Sequence, residues 1–265
     1  MSSLGSLFIT LNKNSMASPF KYYLEHMHKK SGYRAIWDPG RNLQLGLVGK
    51  LDGNGSFTTY TSLTKEGITI EVTPDDKPID QDYTSSESVE IAVKASGDAP
   101  VAGSFLTKLD AGFSIKFKGD SGVVFRTQGQ RTDEITNIAE LEKAILQKYK
   151  EKNWDKDWLI ITRLIKCDSG TIIISNSSNT NLELRAKGDV AAAQLSLADA
   201  SLNLSTAWEK GSSLKFIGQA GMTPLYSLMG VRHPLFSKAG FVNKGFAPTV
   251  DKLAEQPFDE KELEE

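Results

Sequence analysis

Three histidines, one cysteine and a Gly-Asp-Ser-Gly turn are the places in this 265-residue chain where chemistry could begin. His26 and His28 stand two residues apart in a helical stretch, about 200° around its axis, so they cannot share a metal ion. His233 is far along the chain. Gly119-Asp120-Ser121-Gly122 could present a serine nucleophile, which needs a histidine base within hydrogen-bond reach. No histidine has a suitable context, and a tight turn between strands ending near Lys118 and starting near Val123 accounts for these residues better. A lone Cys167 makes neither an internal disulfide nor a Cys-based zinc cluster. Phosphate-cradling glycine motifs are absent, as is the interleaving of basic and aromatic residues that marks a nucleic-acid binder. We therefore expect no enzyme, metal, cofactor or nucleic-acid partner. A hydrolase using Ser121 or Cys167 is the enzymatic alternative.

The elements that must position any site are those of an ordinary globular chain. Hydrophobic residues make up 39% and charged residues 24%, which excludes wholesale disorder and supplies a sizeable core. No apolar run reaches the ~18 residues of a membrane helix. The apolar patch at 7–11 lacks the basic flank and cleavage site of a signal peptide, and the usual lipidation motifs are missing, so a cytosolic protein is expected. Net charge is −2 but uneven: residues 75–100 and 251–265 each carry −5, against +8 elsewhere. An acidic tail on a basic body can contact that body or solvate itself.

Ser18, Pro19 and Gly32 predict a helix over 19–31, with Phe20, Tyr23, Leu24 and Met27 on one face. Lys21, Lys29 and Lys30 fall elsewhere on it and Arg34 just beyond, giving a basic amphipathic helix that reads either as an ordinary surface helix packed on a sheet or as a contact for an anionic membrane. A second helix is expected over 133–152, its face marked by Ile135, Ile138, Leu141, Ile145 and Tyr149. Alternation predicts strands at 89–94, 113–118 and 182–187. Residues 158–165 and 171–175 read as central strands joined by a turn at Asp168-Ser169-Gly170. Residues 73–88 read as a loop. Residues 195–204 alternate and then change phase, so a bulge or short helical insertion is expected there. Periodicity fades after Gly218. The fold class is α+β: a long twisted antiparallel sheet with flanking helices.

Several segments resemble the gasdermin pore-forming module. Trp158-Leu159-Ile160-Ile161-Thr162 is similar to one of its strands, and Lys210-Gly211-Ser212-Ser213-Leu214-Lys215-Phe216 to a later strand entry. Leu51-Asp52-Gly53-Asn54-Gly55-Ser56-Phe57, followed by Tyr60-Thr61-Ser62-Leu63, is similar to an upstream segment, and 20–32 to the first helix of short microbial members. The resemblance spans 19–217, leaving 1–18 as a flexible start and 218–265 as a C-terminal segment with an acidic, regulatory tail.

The resemblance implies a pore-forming effector of regulated cell death, of the fungal allorecognition or heterokaryon-incompatibility type. Such a protein rests in the cytoplasm, binds an acidic phospholipid membrane, oligomerises and inserts two β-hairpins as a transmembrane β-barrel. Here the hairpins fall at about 86–126 and 159–204. Lys21, Lys29, Lys30 and Arg34 are the expected lipid contacts. Ile91, Val93, Phe113, Ile115, Phe117, Leu182 and Leu184 are the expected lipid-facing residues. Implied partners are further copies, a related variant of the same protein, or an activating protease. The plasma membrane or another acidic-lipid membrane is the implied destination. A non-enzymatic binding or scaffold protein is the competing class.

Overall fold

The computed structural model describes residues 19–37, 43–53, 55–75, 77–85, 89–100, 104–119, 121–175, 179–210, 214–232 and 252–255; the side chains of 19–20, 214–216, 232 and 252–255 are excepted. The expected flexible start, the Ser18 cap, the Phe20 side chain and the acidic tail beyond 255 lie outside what it describes.

Helix α1 (Pro19–Ser31) ends as its sequence predicts. Gly32 takes φ +76° and donates its N–H to the His28 carbonyl at 2.8 Å, closing the last turn in a left-handed conformation that suits glycine. Short strands follow: β1 (Arg34–Ala35), the hairpin β2 (Leu47–Leu51) and β3 (Phe57–Ser62), and β4 (Val72–Thr73).

Four long antiparallel arms then follow. The first is β5 (Ile79–Thr84) and β6 (Val89–Lys94); the second is β7 (Gly112–Phe117) and β8 (Gly122–Ile135). Helix α2 (Ile138–Lys150) leads to the third, β9 (Leu159–Ser175) and β10 (Thr180–Arg185). The fourth is β11 (Ser205–Lys210) and β12 (Leu214–Arg232); a last strand, β13 (Lys252–Glu255), pairs with β12.

Each arm contributes one strand to each of two sheets. A nine-stranded sheet holds β5, β8, β9 and β12 with the short strands, and a four-stranded sheet runs β11-β10-β7-β6. Within each arm the strand of one sheet is separated from that of the other, in sequence, by 85–88, 118–121, 176–179 or 211–213, segments composed of Ser, Asn, Gly and charged residues. The two central arms keep one register across the crossing: Phe117 opposes Thr180 on one side, and Gly122 opposes Ser175 on the other. Each outer arm slips by two residues against its neighbour there.

The antiparallel α+β class is therefore what the structure shows, with corrections of detail. Residues 133–135 extend β8, pairing Glu134 with Arg163, so the second helix starts later than expected. Asn137 precedes it and spends its side chain on Glu71 N–H and the Thr69 carbonyl. No turn forms at Asp168-Ser169-Gly170, because β8 and β12 flank β9 there and pair Ser169 and Gly170 on both edges. Part of 73–88, expected as a loop, is β5, zipped onto β8. At 195–204 the expected short helical insertion is a 3₁₀ turn over Ala200–Leu202, capped by Asp199 accepting the Ser201 N–H and followed by Asn203, left-handed at φ 45°, and no strand forms before Ser205. Beyond 217, where periodicity fades, β12 continues unbroken to Arg232; Pro224 sits at a register shift, where its missing N–H does least harm. The second hairpin accordingly returns over 205–232 and not within 159–204.

One cluster fills the angle between the sheets: Phe113, Ile115, Phe117, Leu182 and Leu184 from the small sheet pack with Val124 and Ile173 from the large one. Gly122 stands at that corner, and a Cβ on it would run into the Phe117 ring and lie 3.3 Å from Val89 Cγ2. Phe117 is 1% exposed and has little room to yield. Gly122→Ala should therefore destabilise the fold by about 1–3 kcal/mol through overpacking, lowering the urea midpoint at constant m-value; an unchanged midpoint would contradict this packing.

Candidate functional site

The apolar residues of the two central arms lie in two separate cores. Where the arms belong to the small sheet, Phe113, Ile115, Phe117, Leu182 and Leu184 face the angle between the sheets, covered by Val190, Leu197 and Leu202 from the connection between β10 and β11. Where they belong to the large sheet, Val123, Phe125, Ile172 and Ile174 face the other way, under Tyr23, Leu24 and Met27 of α1. Helix α1 thus covers one half of the apolar set and the β10–β11 connection the other.

The four expected lipid contacts separate into two groups. Lys29 and Lys30 are exposed and Lys21 is half-buried, all on α1. Arg34 lies apart, 5% exposed, in β1 paired with Tyr226. Of the expected lipid-facing residues, five are buried in the core between the sheets. Ile91 is half-buried against that core, and Val93, on the edge strand, is 52% exposed.

Contacts at two places, unreadable from the sequence, hold these parts in place. His26 Nε2 bonds the Tyr83 hydroxyl, joining α1 to the first arm. Tyr22 stacks on His26 with ring centroids 5.3 Å apart, and Lys30 Nζ lies 5.2 Å from the Tyr83 ring centroid. The connection between β6 and β7 is tied to the second hairpin: Ser104 Oγ and Phe105 N–H both donate to Glu183, and the Phe105 ring stacks on Trp208. The signal for the large-sheet half was present in the alternation: Val123 and Phe125 continue the phase of Phe113, Ile115 and Phe117, as Ile172 and Ile174 continue that of Leu182 and Leu184.

The hydrolase alternative gains no geometry. Cys167 is buried and its thiol donates to the Met222 carbonyl at 3.7 Å. It borders a cleft of about 510 Å³ whose charged residues form ion pairs, Arg131 with Asp168 and Lys166 with Asp133. Among the described residues no group of three His, Cys, Asp or Glu side chains could hold a metal, and no helix is long and apolar enough to cross a membrane.

No protein-family model matches the chain, and no curated protein does. Among solved structures the chain is similar to a bacterial gasdermin from Bradyrhizobium tropiciagri, at 13% identity and a TM-score of 0.36, covering 89% of this chain and 91% of that one. At that distance no residue role passes from one chain to the other.

The seat of α1 carries one imperfection. The Tyr23 hydroxyl is buried with no hydrogen-bond partner among the described residues, and burial holds its phenol well above the usual tyrosine range. Removing an orphaned buried hydroxyl stabilises, so Tyr23→Phe should raise stability by about 1 kcal/mol in urea unfolding; a lower midpoint would show that the hydroxyl has a partner.

Proposed function

We propose that this protein is a pore-forming effector of regulated cell death, which docks on acidic-lipid membranes through the α1 lysines, oligomerises and inserts its two long hairpins. The observation that carries this reading is the relation between the two apolar cores. Because the central arms already share one register, joining β7 to β8 and β9 to β10 as straight strands requires no change of partners. In a straight strand alternate residues share a face. Phe113, Ile115, Phe117, Val123 and Phe125 then fall on one side. On the neighbouring arm Leu184, Leu182, Ile174 and Ile172 fall on that same side, opposite Phe113, Ile115, Val123 and Phe125 respectively. Two cores that face opposite ways in the folded chain become one apolar stripe, with Ser114, Lys116, Lys118 and Glu183 on the reverse.

A membrane strand needs ~9–11 residues with lipid-facing and lumen-facing side chains alternating. Residues 112–126 exceed that length. The outer arms leave backbone groups unpaired at their edges, which lipid does not tolerate, so insertion demands further copies, or a related variant, to close a ring. Such a pore in the cell's own membrane is lethal, which gives the effector role. The resting protein is cytoplasmic in this account, and cleavage by a protease or contact with a variant is the trigger.

The test is dye release from phosphatidylserine or cardiolipin vesicles and from neutral ones. Leakage from acidic vesicles alone is expected. Lys29→Glu with Lys30→Glu should abolish vesicle binding while the chain still unfolds in one cooperative thermal transition. Val93→Lys tests the stripe separately: half-exposed, it leaves the fold intact, yet near the bilayer midplane a lysine costs about 2–4 kcal/mol and should suppress leakage. A chain that binds no lipid and releases no dye after truncation near Gly240 or addition of candidate activators would favour the binding or scaffold class.

A further inference from the structure

Helix α1 covers the large-sheet half of the stripe, so the helix must leave its seat before that half can meet lipid. What fastens it at the flank is an imidazole sandwiched between two tyrosines. Tyr22 stacks on His26 from α1, and Tyr83 meets it from β5 both by its hydroxyl and by a ring whose centroid lies 5.6 Å away. The charges acting on His26 are those of Lys29 and Lys30 on its own helix; from β5 it meets only the neutral Tyr83 phenol. The neighbouring carboxylate, Asp82, is paired with Arg126 at 2.6 Å. A proton on His26 would therefore add to the positive charge that Lys29 and Lys30 already place at this end of α1.

We propose that the His26–Tyr83 contact is a proton-sensitive latch, whose protonation loosens α1 from the first arm and uncovers the large-sheet half of the apolar stripe. The proposal rests on the pore-forming reading and names its regulation. Anionic membrane surfaces carry a negative potential that concentrates protons as well as basic residues. The same surface that attracts Lys29 and Lys30 thus also favours release of the helix that bears them. The sign is fixed by geometry and supported by titration: partial burial first, then Lys29 and Lys30, hold His26 below its ordinary value of 6.5. The docked helix binds the proton less well than the free one. Docking is at full strength above the ordinary histidine range and weakens as pH falls through it.

Hydrogen exchange on the full chain, corrected for intrinsic rates, tests this at pH 7.5 and 5.5 without any membrane. The wild-type α1 amides should lose protection by up to about tenfold at the lower pH, with β8 and β9 unchanged. His26→Gln, which keeps a hydrogen-bonding side chain without the charge, should show the same α1 protection at both. Tyr83→Phe should lower it at pH 7.5 already. Equal wild-type protection at the two pH values, or an unaltered response in His26→Gln, overturns the latch. Vesicle leakage separates the two claims: leakage with pH-independent α1 protection defeats the latch and leaves the pore. A pH-dependent α1 in a chain that leaks nowhere supports the latch and defeats the pore.

Discussion

A β-strand has only two faces, and side chains take them in strict turn. That constraint organises this molecule. The second and third arms hold one register from Phe113 to Phe125 and from Ile172 to Leu184, yet their apolar residues lie in two cores on opposite sides of the fold. The passage of each arm from one sheet to the other, between β7 and β8 and between β9 and β10, is what allows both. It turns one alternating pattern into two buried faces, each of which then needs its own cover. Helix α1 is one cover and the β10–β11 connection is the other. Gly122 is fixed at the corner because Phe117 occupies the space a side chain would need.

The covers are held unequally. The β10–β11 connection brings Val190, Leu197 and Leu202 into the core between the sheets, and its Val190 N–H and carbonyl bond Ser96. Helix α1 buries Tyr23, Leu24 and Met27 in its core, the Tyr23 hydroxyl without a partner among the described residues, and at its flank His26 and Lys30 meet Tyr83 of β5. Surface ion pairs such as Lys118–Glu90 are exposed on both sides and add little. The amphipathic helix with the exposed lysines is the cover whose flank rests on aromatic and imidazole contacts. In the proposed function that is the part required to reach the membrane first.

Much of this architecture was legible in the sequence. Residue types at 19–32 state where α1 begins and ends, and alternation at 89–94, 113–118 and 182–187 states which strands are half-buried. Legibility failed where tertiary pairing overrides local signals. Asp168-Ser169-Gly170 has turn chemistry, but two flanking strands and the Arg131 ion pair hold it extended. Residues 218–232 contain a proline and little periodicity, because both faces of β12 are buried over 222–228. Of the candidate site, Lys29 and Lys30 were readable from composition. The contacts of His26 with Tyr83 and of Glu183 with Ser104 and Phe105 join residues far apart in the chain, and no local pattern encodes them. The shared phase of Phe113 through Phe125 was encoded, but its meaning depends on the register that the fold supplies.

The most direct test of the central claim follows side-chain environment along one arm. Single cysteines at successive positions from 113 to 125, in a Cys167→Ser background, would carry an environment-sensitive fluorophore and be read before and after addition of acidic vesicles. The account predicts a two-residue period unbroken across 118–121, with 113, 115, 117, 123 and 125 entering lipid and 114, 116, 124 remaining in water. A phase change at the crossing that sends 124 into lipid and leaves 123 in water, or no change at any position on vesicles that the protein demonstrably binds, would contradict it.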